Sequence, residues 1–414
     1  MTYRLISVLG LFVMVGIAWL LSENRRRVDW RLVGMGVGLQ VFLGLVILQT
    51  DLGIRLFDGV RALFGVLTEA THEGASFVFG QLSEPLVFEA DAVVNADGPV
   101  ALNTMFAFSV LPVVIVTSSI SGILYHLGVI QAVVRGMAWC MRKTLRTSGA
   151  ETFGVAMLVF LGIESMTTLK GYLKSMTRSE LLTIMTTFMA TVAASVLLAY
   201  ASFGADPGHL FVASIMSAPA AIVIAKILVP ETETPTTRGQ VSIKVEIESH
   251  NLIDGAARGA SEGVTIALHI VALLIAMISI VFLLNAGLNA IVGVTFTEVM
   301  GWFFIPFAWL IGIPPADVTA VAELIGTKVV LNEFLAYAAL QTLIEEGAIA
   351  PRSVMIATYA LCGFANPGSL GILIAGLSGL VPERRKEITS LGFKSFIAGT
   401  LAVFMTACIA GIMG

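Results

Sequence analysis

Five polar side chains interrupt long apolar segments of this sequence and are candidates for binding chemistry. Glu164 lies in LVFLGIESMTT, Glu323 in TAVAELIGTK and Glu333 in VLNEFLAY. Asn366 and Ser369 lie in CGFANPGSLGI. A carboxylate at membrane depth is costly and is retained mainly where it serves a substrate, ion or proton. Carboxylate, amide and hydroxyl groups together suit a neutral ligand that carries several hydroxyl groups.

Structural ion pairs are the alternative explanation for two of these carboxylates. Lys170 follows Glu164 by six residues, and Lys328 follows Glu323 by five. Side chains meet on one helix face at spacings of three or four, so these spacings favour carboxylates that point elsewhere. For Glu333, a role in bracing or capping a hairpin after Asn332 is an equal alternative.

The composition indicates the class of protein that must position these groups. Of the 414 residues, 57% are hydrophobic and 13% are charged, whereas a soluble domain has about a quarter charged residues. The net charge of −4 says little about partners, but the lack of a basic arm argues against a nucleic acid polymer. The three cysteines show no CxxC spacing, so no disulfide framework and no structural metal site are expected.

The hydropathy pattern predicts an all-α polytopic membrane protein that spans the lipid bilayer eight times. Two stretches, 150–175 and 303–340, are apolar but contain charged residues, and we expect them to form re-entrant hairpins and not full spans. The amphipathic stretch 51–73 is expected to form an interfacial helix. Asn366-Pro367-Gly368 predicts a broken helix. The spans are expected at 4–22, 33–49, 104–126, 180–200, 209–229, 262–286, 353–380 and 394–413.

Basic residues predict the orientation. Clusters at Arg25–Arg27, between Arg135 and Arg146, and at Arg384–Lys386 lie beside spans, and the positive-inside rule places all of them in the cytoplasm. Both termini are then outside the cytoplasm. Since the first cluster follows the first apolar run, that run is a retained span and not a signal peptide.

The two halves of the chain resemble each other. Without gaps, TRSELLTIMTTFMATVAAS (177–195) aligns with PRSVMIATYALCGFANPGS (351–369), and a charged hairpin precedes each copy. The first copy would enter the membrane from the cytoplasm and the second from outside. Such an inverted repeat predicts substrate and ion sites near the midplane, where hairpin tips and broken helices meet.

Four motifs carry a resemblance to a known family. NLIDGAARGASEGVTIALHIVALLIAMI (251–278), GASFVFGQL (74–82), AELIGTKVVLNEFLAY (322–337) and CGFAN (362–366) are similar to patterns of the concentrative nucleoside transporter family. The resemblance covers nearly the whole chain. It implies a homotrimer, an elevator-type movement of a transport region against a scaffold, and cation-coupled uptake of nucleosides through the bacterial inner membrane, with no enzymatic activity.

The resemblance also implies roles for individual residues. Glu164 would contact the base, and Glu323, Asn366 and Ser369 the ribose. Phe364 and Val196 would line the base pocket, with Ile163 at the place of the family's usual glutamine in the motif Gly162-Ile163-Glu164-Ser165. A base pocket with Ile163 should be less discriminating or suit another ring.

The coupling ion is either a proton or sodium, and the sequence favours the proton. The asparagine of sodium-coupled members has no counterpart in Ala156–Val159. Thr191 remains as a side-chain oxygen, with the carbonyls of Leu161 and Val192 as further cation ligands. Glu164 and Glu323, in an apolar setting, could carry a proton instead.

Domain limits and alternative functions complete the sequence-based hypothesis. A transporter of the same fold for a nucleobase-like or C-glycosidic substrate, a passive channel and an intramembrane enzyme are the alternatives. The five histidines lack metal-ligand spacing, and no Gly-x-Ser-x-Gly motif occurs.

The expected units are scaffold spans with the interfacial helix (1–126), the first hairpin and repeat (127–229), a cytoplasmic linker (230–256), a scaffold span (257–298), and the second hairpin and repeat (299–414).

Overall fold

The chain is helical throughout most of the computed structural model, which describes residues 2–83, 86–88, 100–102, 106–238 and 249–414. A short antiparallel pair, β1 (Leu86–Phe88) and β2 (Val100–Leu102), is the exception to the expected all-α class. The helices are α1 (Thr2–Leu20), α2 (Trp30–Gln49), α3 (Asp51–Phe79), α4 (Phe106–His126), α5 (Val129–Leu145), α6 (Gly149–Leu161), α7 (Met166–Leu173), α8 (Arg178–Ala190), α9 (Ala194–Ala201), α10 (Pro207–Leu228), α11 (Leu252–Val292), α12 (Phe296–Leu310), α13 (Val318–Val330), α14 (Glu333–Glu345), α15 (Pro351–Leu361), α16 (Pro367–Leu380) and α17 (Arg385–Met413).

Five helices of the described chain are long and apolar enough to cross a membrane alone, namely α1, α2, α10, α11 and α17. Helix α4 meets that test together with α5, but the two bend by 78° at their junction. The remaining predicted spans are divided into two shorter helices each. The fold is therefore that of a polytopic membrane protein, as the composition indicated.

Both broken spans lose their helical hydrogen bonding near the middle. The second one, α15 and α16, is interrupted between Cys362 and Asn366, which confirms the break expected beside Pro367. The first one, α8 and α9, is interrupted at Thr191–Ala193, where the sequence predicted a continuous span over 180–200. Since this segment contains neither proline nor glycine, the break has no local signal in its residue types.

The two predicted hairpins are present, with one corrected boundary. The first is α6 and α7, joined by a short 3-10 turn at Gly162–Ser165. The second is α13 and α14, joined at Leu331–Asn332. Residues 303–310, which were expected in the second hairpin, belong to the separate helix α12, because Ile311–Asp317 interrupts the helical run.

Contacts with α17 show that the repeats are inverted. Arg178, which opens α8, donates to Glu23, and Lys394 near the start of α17 pairs with that same carboxylate. Arg352, which opens α15, donates instead to the carbonyl oxygen of Gly414 at the far end of α17. Because α17 has 29 residues and is about 43 Å long, the two broken spans begin at opposite ends of it and run in opposite directions.

The hairpins likewise open at opposite ends. Ser148, at the start of the first hairpin, hydrogen-bonds Glu180 of α8. Asp317, at the start of the second, accepts bonds from the backbone N–H of Ala350 and the hydroxyl of Ser353, at 3.0 and 2.5 Å. The base of each hairpin is thereby fixed to the beginning of the broken span that follows it.

The basic clusters and the chain termini lie at opposite ends of the protein. Arg27, Arg31 and Arg146 line one surface cavity with Glu231, and Arg384 donates to carbonyls at the base of the first hairpin. The basic clusters thus share the end at which α8 begins. Arg4 donates to the Gly414 carbonyl at the other end, so the two termini lie together.

Burial divides the helices into two groups. The apolar window of α10 is 89% buried and that of α17 is 72% buried, whereas the window of α11 is only 17% buried. Helices α8 and α15 pack against both α10 and α17. This buried group carries both hairpins and both breaks, and the long exposed helix α11 stands beside it. Residues 239–248 of the expected linker lie outside the described residues.

Candidate substrate cavity

A cavity of about 140 Å³ lies where the tips of both hairpins meet both helix breaks. One wall comes from α11, which stands outside the buried group. None of the described residues that line the cavity is a lysine or an arginine. The lining residues are Gly162, Phe188, Ala193, Val196, Ile266, His269, Ile270, Leu273, Leu274, Met277, Leu331, Asn332, Glu333, Phe334, Phe364, Asn366, Gly368, Ser369 and Ile372.

Glu333 is the acidic group among the described residues that line this cavity. It is 3% exposed at the tip of the second hairpin, in the first turn of α14. One carboxylate oxygen accepts from the hydroxyl of Tyr200 at 2.8 Å, and the other accepts from the amide of Asn366 at 2.8 Å. A carboxylate oxygen can accept more than one hydrogen bond, so Glu333 is held in place and retains acceptor capacity toward the cavity.

Asn366 connects the second break to Glu333. Its amide nitrogen donates to Glu333, while its carbonyl oxygen accepts from the backbone N–H of Ser369 at 2.8 Å and caps α16. An asparagine N-cap followed by proline at the first helical position is a common way to begin a helix. The cap fixes the side chain of Asn366 and places Ser369 in the cavity wall, as the sequence predicted for both residues.

An apolar, aromatic part of the cavity lies beside these polar groups. The rings of Phe188 and Phe364 have centroids 5.6 Å apart. Val196, 5% exposed, also lines the cavity, beside the residues that the family resemblance groups with it. The backbone of Gly162 brings the first hairpin's tip to this part, but the side chains of Ile163 and Glu164 lie outside what the structure describes.

Glu323 is not placed in the cavity, contrary to the sequence-based expectation. Its side chain is exposed and lies against Gly301 of α12, where an added Cβ would come within 3.1 Å of the Glu323 Cγ. It precedes the hairpin tip at Leu331 by eight residues, about 12 Å along a helix. Glu333 lies at the tip and takes the position that was assigned to Glu323.

The alternative ion pair between Glu323 and Lys328, which the sequence spacing disfavoured, is not formed by these two residues. Lys328 is fully buried in the last turn of α13, and its amino group has no hydrogen-bond partner among the described residues. Lys170 of the first hairpin is exposed.

The three candidate cation ligands lie at the ends of two helices that approach the cavity. Leu161 is the last residue of α6, and Thr191 and Val192 follow the last residue of α8. The Thr191 hydroxyl donates to the Thr187 carbonyl at 2.8 Å, and the Val192 carbonyl accepts from the hydroxyl of Ser214 at 3.0 Å. The C-terminus of a helix carries a partial negative charge. The C-termini of α6 and α8 together therefore favour the binding of a cation.

Comparison with known proteins identifies the chain. Residues 9–82 match the family described as Na+ dependent nucleoside transporter N-terminus, 107–207 match nucleoside recognition, and 209–411 match Na+ dependent nucleoside transporter C-terminus. The chain belongs to the concentrative nucleoside transporter family. The resemblance seen in the four motifs is therefore confirmed, and the intramembrane enzyme is excluded.

The chain has relatives in animals and in bacteria, and it spans about 60% of the length of the first animal relatives that it matches. The chain is 39% identical to Solute carrier family 28 member 3 of Mus musculus, covering 99% of this chain but 59% of that protein. It is 37% identical to the transporter YutK of Bacillus subtilis, covering 98% of both. Among solved structures, CNTnw in an inward-facing substrate-bound state has 35% identity and a TM-score of 0.90, with 99% of this chain and 98% of that chain covered.

Four residues that line the cavity or hydrogen-bond the groups around it were missed or undervalued from sequence. Tyr200 lies in an apolar span with no polar neighbours in sequence, and Ser214 lies in a similar run, so neither had a signal. His269 did have one, because a histidine among isoleucines and leucines of a span is unusual. Glu333 was noted, and its position directly after Asn332 was the available clue to a helix start at the hairpin tip.

Proposed function

We propose that this transporter carries nucleosides across a bacterial plasma membrane, driven by a cation gradient. The observation that carries the proposal is the buried trio of Glu333, Asn366 and Ser369 beside the apolar slot formed by Phe188 and Phe364. A nucleoside has the same division, with a hydroxyl-rich sugar at one end and a flat base at the other.

The trio suits the sugar in particular. A carboxylate accepts from two neighbouring hydroxyl groups, and the Ser369 hydroxyl both donates and accepts. The bonds from Tyr200 and Asn366 hold Glu333 in one orientation before substrate arrives, which reduces the ordering cost of binding. Since no described cavity-lining residue is a lysine or an arginine, a nucleotide phosphate would lack its usual partners, and nucleosides are favoured over nucleotides.

The inverted hairpins provide the route. The first opens at the end of the protein with the basic clusters, and the second at the end with both termini. We propose that the basic end is cytoplasmic and that the buried group, with both hairpins, moves like an elevator against α11 and the other peripheral helices. A homotrimer through the exposed apolar surface of the peripheral helices is part of this proposal.

We propose sodium as the coupling ion, bound between the ends of α6 and α8. The carbonyls of Leu161 and Val192 and the hydroxyl of Thr191 supply oxygen ligands there. The sequence favoured the proton partly through Glu323, and that residue is exposed on α13. The buried apolar side chains of Met157, Leu158 and Val159 give no ligand, so backbone oxygens carry most of the site.

Uptake into proteoliposomes tests both parts of the proposal. Radiolabelled uridine and adenosine should accumulate when sodium is imposed outside at equal pH on both sides. Accumulation with an acidic exterior in sodium-free buffer, and none with sodium, would replace sodium by the proton. Equilibration without accumulation under either gradient would indicate a passive channel.

Competition distinguishes the substrates. Unlabelled nucleosides should compete with labelled uridine, and 2′- and 3′-deoxy forms should compete less because they lack one acceptor-bound hydroxyl. Free nucleobases that compete as strongly as nucleosides would favour the nucleobase-like alternative. Pseudouridine competing better than uridine would favour a C-glycosidic substrate.

Cysteine labelling tests the orientation. Ser175, near the base of the first hairpin, and Ala316, near the base of the second, are both exposed. In a Cys140→Ser background, an impermeant maleimide added to intact cells should label Ala316→Cys and not Ser175→Cys. Labelling of the two from the same side would contradict the inverted arrangement, and the reverse pattern would invert the topology.

A further inference from the structure

A buried lysine behind the substrate cavity has no assigned role. Lys328 is 0% exposed, and its amino group makes no hydrogen bond among the residues the structure describes. An ammonium removed from water is unfavourable unless a negative charge or hydrogen-bond acceptors compensate it. The nearest acids in sequence are Glu323 and Glu333, five residues away on either side.

The structure points to Glu333 as the compensating charge. Glu323 lies on the exposed side of α13 beside Gly301. Glu333 is buried across the hairpin tip and is the acidic group that interacts electrostatically with Lys328. The two make no ion pair in direct contact, so the interaction acts at longer range through a setting of low polarity, where charges interact more strongly than in water.

The helices of the hairpin hold both charges in favourable places. Lys328 is in the last turn of α13, and Glu333 is in the first turn of α14. A cation is stabilised at a helix C-terminus and an anion at a helix N-terminus. The hairpin tip therefore carries one positive and one negative group with no net charge.

We propose that Lys328 is a positioning residue that keeps Glu333 ionised throughout the transport cycle. Glu333 then always accepts the sugar hydroxyls and does not carry the coupling ion as a proton. The pair leaves the tip of an empty hairpin without net charge, so the hairpin can return across the membrane without an ion bound at this tip. The inference rests on the proposed contact between Glu333 and the sugar.

Other groups around Glu333 are consistent with this assignment. Tyr200 of α9 donates to it, Tyr337 of α14 and Cys362 of the second break lie near it, and His269 of α11 lines the same cavity. Lys328 is a cationic group whose charge favours the ionised form of Glu333.

The test compares Lys328→Met with Lys170→Met, an exposed lysine of the first hairpin. Uptake of uridine is measured at a fixed sodium gradient, with the same pH on both sides, from mildly alkaline to mildly acidic pH. Wild type and Lys170→Met should share one shallow profile. Lys328→Met should be at least tenfold slower at mildly acidic pH and recover at mildly alkaline pH, because without the lysine Glu333 takes up a proton on acidification and loses its capacity as a charged acceptor for the sugar hydroxyls. Lys328→Arg should restore the shallow profile.

A stability measurement makes the result independent of transport. In detergent, Lys328→Met and Glu333→Gln should each lower the melting temperature, and the double variant should melt above both, since it leaves no unpaired charge. A wild-type pH profile for Lys328→Met would overturn the inference. So would a double variant less stable than either single one. If instead the coupling of stabilities holds but no variant or wild type transports nucleosides, the proposed substrate fails and the charge pair stands.

Discussion

The two halves of the transporter fix a hairpin to its broken span with the same bond made in opposite directions. In the first half the acid belongs to the span: Glu180 of α8 accepts from Ser148 of the hairpin. In the second half the acid belongs to the hairpin: Asp317 accepts from Ser353 of α15. The contact lies at the same place in both halves, but the acid and the serine have changed places between the hairpin and the span. The two halves are therefore more similar in geometry than in sequence.

The halves differ more at their breaks. The second break, with Asn366 and Ser369 beside Glu333, collects side chains that form directed hydrogen bonds. At the first break, the oxygen atoms that take part in hydrogen bonds are mainly backbone carbonyl oxygens and the hydroxyl oxygens of Thr191 and Ser214. Side chains can distinguish one sugar from another ligand, whereas carbonyl oxygens suit a cation. The proposed sugar site and the proposed cation site therefore divide between the two copies of one fold.

The largest expected effect tests the assignment of tasks at the second hairpin. Glu333→Gln should raise the KM for nucleosides by roughly 10- to 150-fold, since a hydrogen bond to a charged group contributes about 1.5–3 kcal/mol. Glu323→Gln, on the same hairpin but outside the cavity, should remain within about twofold of wild type. Uptake kinetics in proteoliposomes with matched protein content measure both. Equal losses in the two variants would contradict the placement of the sugar site.

The next effect tests the exchanged bond. Asp317→Ala removes the acceptor of a backbone N–H and a hydroxyl and should destabilise the protein by about 2 kcal/mol. Glu180→Ala removes its counterpart in the first half, where the backbone N–H of Thr177 also donates to Glu180 at 2.8 Å, and should cost a similar amount. Thermal unfolding in detergent compares the two. A large loss in one variant and none in the other would show that the contacts are not equivalent.

A smaller effect is expected at the first break. Thr191→Val keeps the shape of the side chain but removes its hydroxyl, so sodium loses one oxygen ligand. The sodium concentration for half-maximal uptake should rise by roughly fivefold, corresponding to about 1 kcal/mol. The KM for nucleoside at saturating sodium should stay unchanged. A higher nucleoside KM with unchanged sodium dependence would place Thr191 in the substrate site.

The smallest effect concerns the ion network that holds the start of α8. The Arg178 guanidinium that donates to Glu23, together with Lys394, lowers the pKa of the Glu23 carboxyl. The ion network around Glu23 therefore stabilises the folded state fully when the pH is above about 4.3, the ordinary pKa of a glutamate. This stabilisation is lost as the pH falls through the lowered pKa that Glu23 has in the folded state. Because the pair is partly exposed, Glu23→Gln should cost only about 0.2–1 kcal/mol.

The measurement is the difference in melting temperature between wild type and Glu23→Gln as a function of pH. The difference should be constant at neutral pH and disappear on strong acidification. The start of α15, which is held by Asp317 hydrogen bonds and by Arg352 on backbone carbonyls, should not respond to the Glu23 substitution. A difference that grows on acidification would contradict the direction of the shift.

Much of the architecture could be predicted from the sequence because it follows from local composition. Apolar runs of spanning length, charges inside the hairpins, and Asn366-Pro367-Gly368 are each properties of neighbouring residues. They gave the spans, the hairpins, the second break and the inverted order of the halves. Asn366 was predicted in the cavity for the same reason, since a polar cap beside proline is visible without any tertiary contact.

Only the tertiary structure decided which acid faces the cavity and where the first span breaks. Glu323 and Glu333 lie in the same hairpin, and their sequence contexts look equally polar, but the turn at Leu331–Asn332 puts only Glu333 at the tip. The break at Thr191–Ala193 has no proline or glycine, and hydrogen bonds between Val192 and Ser214 of α10 support it instead. Chain composition determines that a segment is buried, whereas the direction of a side chain depends on partners that are distant in sequence.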